Sequence, residues 1–193
     1  MIAKSLKHLL IVLLAGIVSF AIANAAQAPQ EGGTLPDFEL KVPDNAQERD
    51  YLGLAGKSRF TISQIKADVV IIEIFSMYCP HCQREAPTMN DFYNRIQASD
   101  ELRDRVKLIG IGVGNSAYEV DFFRKQYKVP FPLFEDGEFA IHQLLGEVRT
   151  PFFIGVRLKP DGSHRVFYSK LGGSKDAGRL LEEMVQRSGL AVP

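Results

Sequence analysis

An α/β fold, with a central mixed β-sheet flanked by helices, is predicted by three observations. Val69–Phe75 (VVIIEIF) and Val106–Val113 (VKLIGIGV) are nearly all apolar, as expected of strands buried on both faces. Each is followed by a stretch of helical pattern. The chain then closes with a hairpin pattern and an amphipathic helix, so strands alternate with helices before a final antiparallel pair. With 193 residues, 46% of them hydrophobic, the chain can build one packed domain behind a leader. Basic and acidic residues balance and no basic block stands out, which argues against nucleic acid as a partner.

Residues 1–25 read as a secretory signal. Lys4 and Lys7 supply a positive start, Leu9 to Phe20 an apolar core, and Ala23-Asn24-Ala25 a small-x-small cleavage pattern with the cut after Ala25. The alternative is an uncleaved anchor that extends the apolar stretch to Ala26. No cysteine lies near the cleavage region, which excludes a lipid-modified N-terminus. Without Lys4 and Lys7 the domain carries 21 basic against 23 acidic residues, near −2. Residues 26–33 form a polar linker and residues 34–193 the domain.

Within that domain, Thr34–Val42 is expected as a strand entered through Pro36, and residues 43–56 as loop. Phe60–Lys66 reads as a short helical turn capped by Thr61 or Ser63. After the strand Val69–Phe75 a helix starts at Cys79. Pro80 suits its first turn, where a missing N–H costs nothing, and Pro87 should kink it. After the strand Val106–Val113, Ala117–Tyr127 is a helix with Val120, Phe122 and Phe123 as core candidates. Phe131–Phe134 is a short strand, and Glu138–Leu145 a helix closed by Gly146. Phe152–Leu158 and His164–Ser169 form a hairpin around Pro160-Asp161-Gly162. Gly172-Gly173 is a turn. Asp176–Arg187 is a helix with Leu180, Leu181, Met184 and Val185 inward.

The chemistry centres on Cys79 and Cys82, the only two cysteines. A Cys-x-x-Cys pair between a strand and a helix is a redox signature. In an exported protein the pair can exist as a disulfide. A structural staple normally closes a longer loop, however, and a two-residue gap stabilises little. A zinc site would need more ligands, and His81, His142 and His164 offer no second paired spacing. Cys79 is therefore the expected nucleophile. The helix N-terminus, a cationic His81 and the Pro80 turn would lower its pKa and keep it exposed. Cys82, one turn on, would be the buried resolving thiol.

Glu73 interrupts an apolar strand six positions before Cys79. A buried carboxylate there is costly without a role or a partner. Its functional reading is an acid–base group that relays a proton to or from Cys82, with a raised pKa. The plainer reading is a strand-end carboxylate paired with a Lys or Arg. Thr150-Pro151 fits either a proline that merely starts a strand or a cis-proline with a specific structural use.

Together, Cys79-Pro80-His81-Cys82, Glu73, Pro87, Thr150-Pro151 and Gly172-Gly173 resemble the pattern of the thioredoxin superfamily. The resemblance covers roughly residues 34–188. It implies a cis Pro151 beside the cysteines, and a backbone at Thr150 that pairs with an extended client segment. Thr150, Pro151 and Tyr78 are then the expected client-binding residues, with Pro80 and His81 tuning the redox poise. The stretch Glu73-Ile-Phe-Ser-Met-Tyr-Cys-Pro-His-Cys82 looks like the active site of the DsbA disulfide oxidases. Gly33-Thr-Leu-Pro-Asp-Phe-Glu-Leu40 resembles instead the TlpA/ResA-like redoxins, mostly reductases, and the peroxiredoxins. About seventy residues separate the dithiol from Thr150. That spacing fits a redoxin with an N-terminal extension and one inserted strand–helix unit around Phe131 to Gly146. Tyr78 stands where redoxins usually carry tryptophan.

These resemblances imply a periplasmic or equivalent extracytoplasmic thiol:disulfide oxidoreductase, with reductase slightly favoured over disulfide donor. Its clients would be cysteine-containing exported proteins, such as apocytochromes. A membrane or soluble redox partner would recycle the dithiol, and no metal or diffusible cofactor is implied. A thiol peroxidase using Ser76 and Arg149 is the rival enzyme, opposed by Ile72 in place of the motif proline. A non-enzymatic chaperone with a peptide groove at Met77, Tyr78 and Phe152 is the rival of another class.

Overall fold

The computed structural model describes residues 27–56 and 58–191; the leader at residues 1–25 lies outside the described residues. A short ribbon pairs β1 (Leu40–Lys41) with β2 (Arg59–Phe60), and α1 (Ala46–Leu52) sits between them. The main sheet contains β3 (Val69–Phe75), β4 (Val106–Val113), β5 (Leu133–Asp136), β6 (Phe152–Leu158) and β7 (His164–Leu171), in the order β5-β4-β3-β6-β7. β3 runs parallel to β4, and β4 to β5. β6 is antiparallel to β3, and β7 to β6. The helices are α2 (Pro80–Ala98), α3 (Ala117–Tyr127), α4 (Ala140–Leu144) and α5 (Ala177–Ser188). The expected mixed sheet flanked by helices is thus observed.

Alternation along the strands divides the core in two. Val70, Ile72 and Ile74 face the ribbon, α4 and the N-terminal segment. Val69, Ile71 and Phe75 face α2, α3 and α5. Every residue of β3 is buried, so the strand that delivers the cysteines is fixed on both sides.

Several expectations are corrected. Of Thr34–Val42 only Leu40–Lys41 is strand; Pro36 has no N–H to give a ladder, and Leu35 N–H is instead taken by His164 Nε2 at 3.1 Å. Residues 43–56 contain α1, which Asn45 caps by accepting from Gln47 N–H and which ends at Gly53. The turn near Thr61 is a single 3₁₀ turn, Ile62–Gln64, closed by a Thr61–Gln64 capping box. β5 begins two residues later than expected. Phe122 is 47% exposed while Val120 and Phe123 are buried, so the inward face of α3 is narrower than the apolar pattern implied. α5 buries Leu180 and Met184, with Leu181 and Val185 at its flank. As expected, Pro87 lies inside α2.

Residues 27–33 lie against the domain. Ala28 packs on the core, Gly32 N–H donates to the Val166 carbonyl, and Val166 N–H donates to the Gly33 carbonyl, each at 2.8 Å. Glu31 pairs with Arg187 of α5. The outer edge of β7 is thereby covered, which removes a site for edge-to-edge pairing.

The first half of β4 has its own open edge, because β5 pairs only from Gly110 onward. Tyr51 of α1 closes it: its hydroxyl accepts the Leu108 N–H at 2.8 Å. Lys107 Nζ lies 4.6 Å from the Tyr51 ring centroid and donates to the Arg103 carbonyl. Tyr51→Phe keeps the ring and strands the Leu108 amide. It is expected to cost about 1–2 kcal/mol in urea denaturation.

Candidate active site

Cys79 ends the β3–α2 turn in an extended conformation (φ −86°, ψ 111°) and is the N-cap of α2. Its Sγ accepts from Cys82 N–H at 3.3 Å. Pro80 occupies the first helical position, as its fixed φ favours. The reactive sulfur therefore sits where the unpaired amides and the positive end of the helix converge. Burial opposes ionisation of Cys79. Hydrogen bonds from Cys82, from Thr150 and from the His81 backbone outweigh it and bring the thiol below its usual value. Cys82 is fully buried on the inner face of α2, and burial drives its thiol far upward, with its contact to Cys79 adding to the effect. Both are free thiols.

The turn is held by a side chain absent from the sequence reading. Asn115, wholly buried just after β4, accepts Met77 N–H on Oδ1 at 2.8 Å and donates from Nδ2 to Ser76 Oγ at 3.3 Å. Gln83 Nε2 donates to the Met77 carbonyl at 2.8 Å, and Cys79 N–H to the Ser76 carbonyl at 3.0 Å. The signal available in the sequence was a lone amide following Gly114 at the end of an apolar strand.

Glu73 shares its face of β3 with Ile71 and Phe75, under α2, and is 3% exposed. Burial pushes its carboxyl up to about 8, with the charges of Glu85 and Cys79 adding to the rise. Its charge is felt in turn at Cys82. No Lys or Arg is bonded to it among the described residues, so the expected salt-bridged alternative is not what the structure contains. Glu85, one turn beyond Cys82, is a second half-buried carboxylate, raised by burial and accepting Ser174 N–H at 2.9 Å. It explains Gly173, where a Cβ would lie 2.0–2.3 Å from the Glu85 carboxylate, while Gly172 takes the left-handed φ of 83°. Its i+3 spacing from Cys82 was the signal that could have found it.

The Thr150–Pro151 peptide is cis. The Thr150 carbonyl lies 3.4 Å from Cys79 Sγ, so this loop and the dithiol share one surface. Tyr78 is 64% exposed beside them, its hydroxyl bonded to Glu119 at the start of α3. His81 is exposed. Its Nδ1 lies 3.0 Å from a guanidinium nitrogen of Arg84, which brings that cation beside the imidazole. Cys79, Cys82, Glu73, Thr150 and Pro151 are thus brought together, with Tyr78 at their edge and His81 contributing through its backbone. Arg149 is exposed, and Ser76 Oγ is engaged by Asn115. Phe152 is buried in the sheet and offers nothing to a surface peptide groove.

A profile of the AhpC/TSA family matches residues 32–165. The thiol-disulfide oxidoreductase ResA of Oceanobacillus iheyensis is 24% identical over 159 residues, which span 80% of this chain and 74% of that one. The ResA of Geobacillus thermodenitrificans is 26% identical over 153 residues, 76% and 77% of the two chains. Among solved structures, a DsbE-type thiol:disulfide interchange protein from Chlorobium tepidum superposes with a TM-score of 0.60. It is 16% identical over 83% of this chain and 99% of that one, and the fold is thioredoxin-like.

Two outcomes are expected. Glu73 holds a proton in the fold that the unfolded chain releases, so stability falls as pH rises from about 4.5 to about 8. Glu73→Gln removes that dependence. By pH 8 it gains on the order of 4–5 kcal/mol over the parent, read from denaturation midpoints across pH, since the rise from 4.5 to about 8 is worth about 1.4 kcal/mol per pKa unit. Asn115→Ala frees the Met77–Tyr78 turn and loosens the donors around Cys79. The pH midpoint of Cys79 alkylation by iodoacetamide should move upward, at a cost of about 1–3 kcal/mol in stability, and Asn115→Asp should restore part of both.

Proposed function

The chain belongs to the AhpC/TSA family, and on that premise we propose that it is a thiol:disulfide oxidoreductase working outside the cytoplasm, in the reducing direction. One observation carries the reading. A single exposed-edge sulfur, stabilised as thiolate, faces the cis-proline loop, while its partner thiol is buried and held protonated.

The reaction follows from that asymmetry. The Cys79 thiolate attacks one sulfur of a client disulfide, forming a Cys79–client S–S bond and releasing the other client sulfur as thiolate. Cys82 then gives its proton, through water, to Glu73 in the fraction of molecules where that carboxyl is ionised, a fraction that grows as pH approaches 8, and attacks Cys79 Sγ. The Cys79–Cys82 disulfide forms, and the second client thiolate leaves. Two electrons pass to the client, and an external dithiol must return them. The clients proposed are cysteine-containing exported proteins, held by backbone pairing at Thr150 beside Pro151 and Tyr78. The leader pattern at residues 1–25 supports the extracytoplasmic setting. Among the described residues no helix is long and apolar enough to cross a membrane.

The Pro80-His81 dipeptide favours a second reading, a disulfide donor running the same steps backwards. The reduction potential separates the two. Equilibration with glutathione buffers followed by thiol alkylation should give a value near the thioredoxin end, about −270 mV. A value near about −120 mV would establish the donor instead. Cys79→Ser should abolish exchange, and Cys82→Ser should accumulate the mixed disulfide.

A further inference from the structure

Beside the dithiol a groove of about 490 Å³ runs from Thr150 and Tyr78 past Val113 and Val148 to Phe139. Its size suits a side chain with part of its backbone. Thr150 and Tyr78 belong both to this groove and to the surface around Cys79. A client segment paired at Thr150 must therefore carry a side chain neighbouring its cysteine over the groove.

Phe139 is the unusual wall. It stands just before α4 in the left-handed region (φ 58°), which a bulky side chain rarely adopts and Asn or Gly adopts readily. The tip of its ring covers Gly114, where a Cβ would come within 2.4–2.7 Å of Cζ and Cε1. Yet the residue is 46% exposed. Neither backbone preference nor burial accounts for an aromatic residue there. Such outliers gather at functional sites.

The wall is also stiff. Phe139 N–H donates to the Asp136 carbonyl at 3.1 Å. The buried Asp136 carboxylate accepts from Ile141 N–H at 3.0 Å and His142 N–H at 2.8 Å. His142 Nε2 donates to the Val148 carbonyl at 2.9 Å, with its ring 6.0 Å from that of Phe139. A preformed apolar wall loses little on binding. The rim charges, Glu147 and Arg149, have opposite sign, so selection rests on shape and apolarity rather than net charge.

We propose that Phe139 is a specificity-determining residue, and that its groove takes a large apolar side chain, aromatic above all, adjacent to the client cysteine. This rests on the thiol:disulfide exchange reading. The test uses disulfide-bonded peptides with Phe on one side or the other of the cysteine, against Gly on both, reacted with the reduced full-length protein. The parent should prefer Phe on one side by about tenfold in second-order rate. Phe139→Asn, which suits the backbone, should bring that ratio to about parity, and Phe139→Tyr should keep it. A parent without preference, or a Phe139→Asn variant that retains it, overturns the proposal and leaves the exchange reading standing. A parent that reduces none of the peptides overturns both.

Discussion

The hydrogen bond from Cys82 N–H to Cys79 Sγ is the constraint on which the site depends. It makes a sulfur the N-cap of a long helix, and so it divides two chemically equal thiols. One receives the amides of the first turn; the other is carried one turn inward and loses its water. A cap of this kind needs a helix that cannot shift along its axis. α2 is held by Ala86, Met89, Phe92 and Ile96 against the sheet, and by Asn115 and Gln83 at its mouth. The packing of one helix face thus sets the protonation of two sulfurs.

Under that helix the same low-polarity surroundings act on two carboxylates. Glu85 adds to the cost of ionising Glu73 because both are withdrawn from water; exposed, the pair would be screened. Glu85 has one backbone donor, Ser174 N–H, and the turn at Gly173 is shaped around it. Among the described residues Glu73 has no opposite charge bonded to it, and burial holds its carboxyl up to about 8. In the proposed mechanism it is the ionised form, reached as pH approaches 8, that takes the proton Cys82 must lose to resolve a mixed disulfide.

The sequence was legible where periodicity and burial agree. β3, β4 and α2 are long, apolar on the right faces and bounded by turn residues, and the spacing of Cys79 and Cys82 needs no tertiary information. α1 was missed although Asn45 and Gly53 bracket it, because seven mostly polar residues carry no inward stripe strong enough to outweigh the loop composition around them. Phe122 misled for the opposite reason, since an apolar residue on a helix is not thereby a core residue. Asn115 was invisible because its partners, Ser76 and Met77, are distant in sequence and adjacent only through the β3–β4 pairing. Phe139 was unremarkable until its φ and its exposure were both known.

The direction of electron flow turns on the same balance that shapes the thiols. Whatever stabilises the dithiol form, above all a Cys79 thiolate, makes the pair a stronger oxidant. The Pro80-His81 turn supplies backbone donors for that purpose. Here burial is the largest single influence on Cys79 and acts against the thiolate, so the hydrogen bonds are partly spent in overcoming it. Under the proposed reducing direction, that opposition keeps the nucleophile reactive without making the reduced state exceptionally stable.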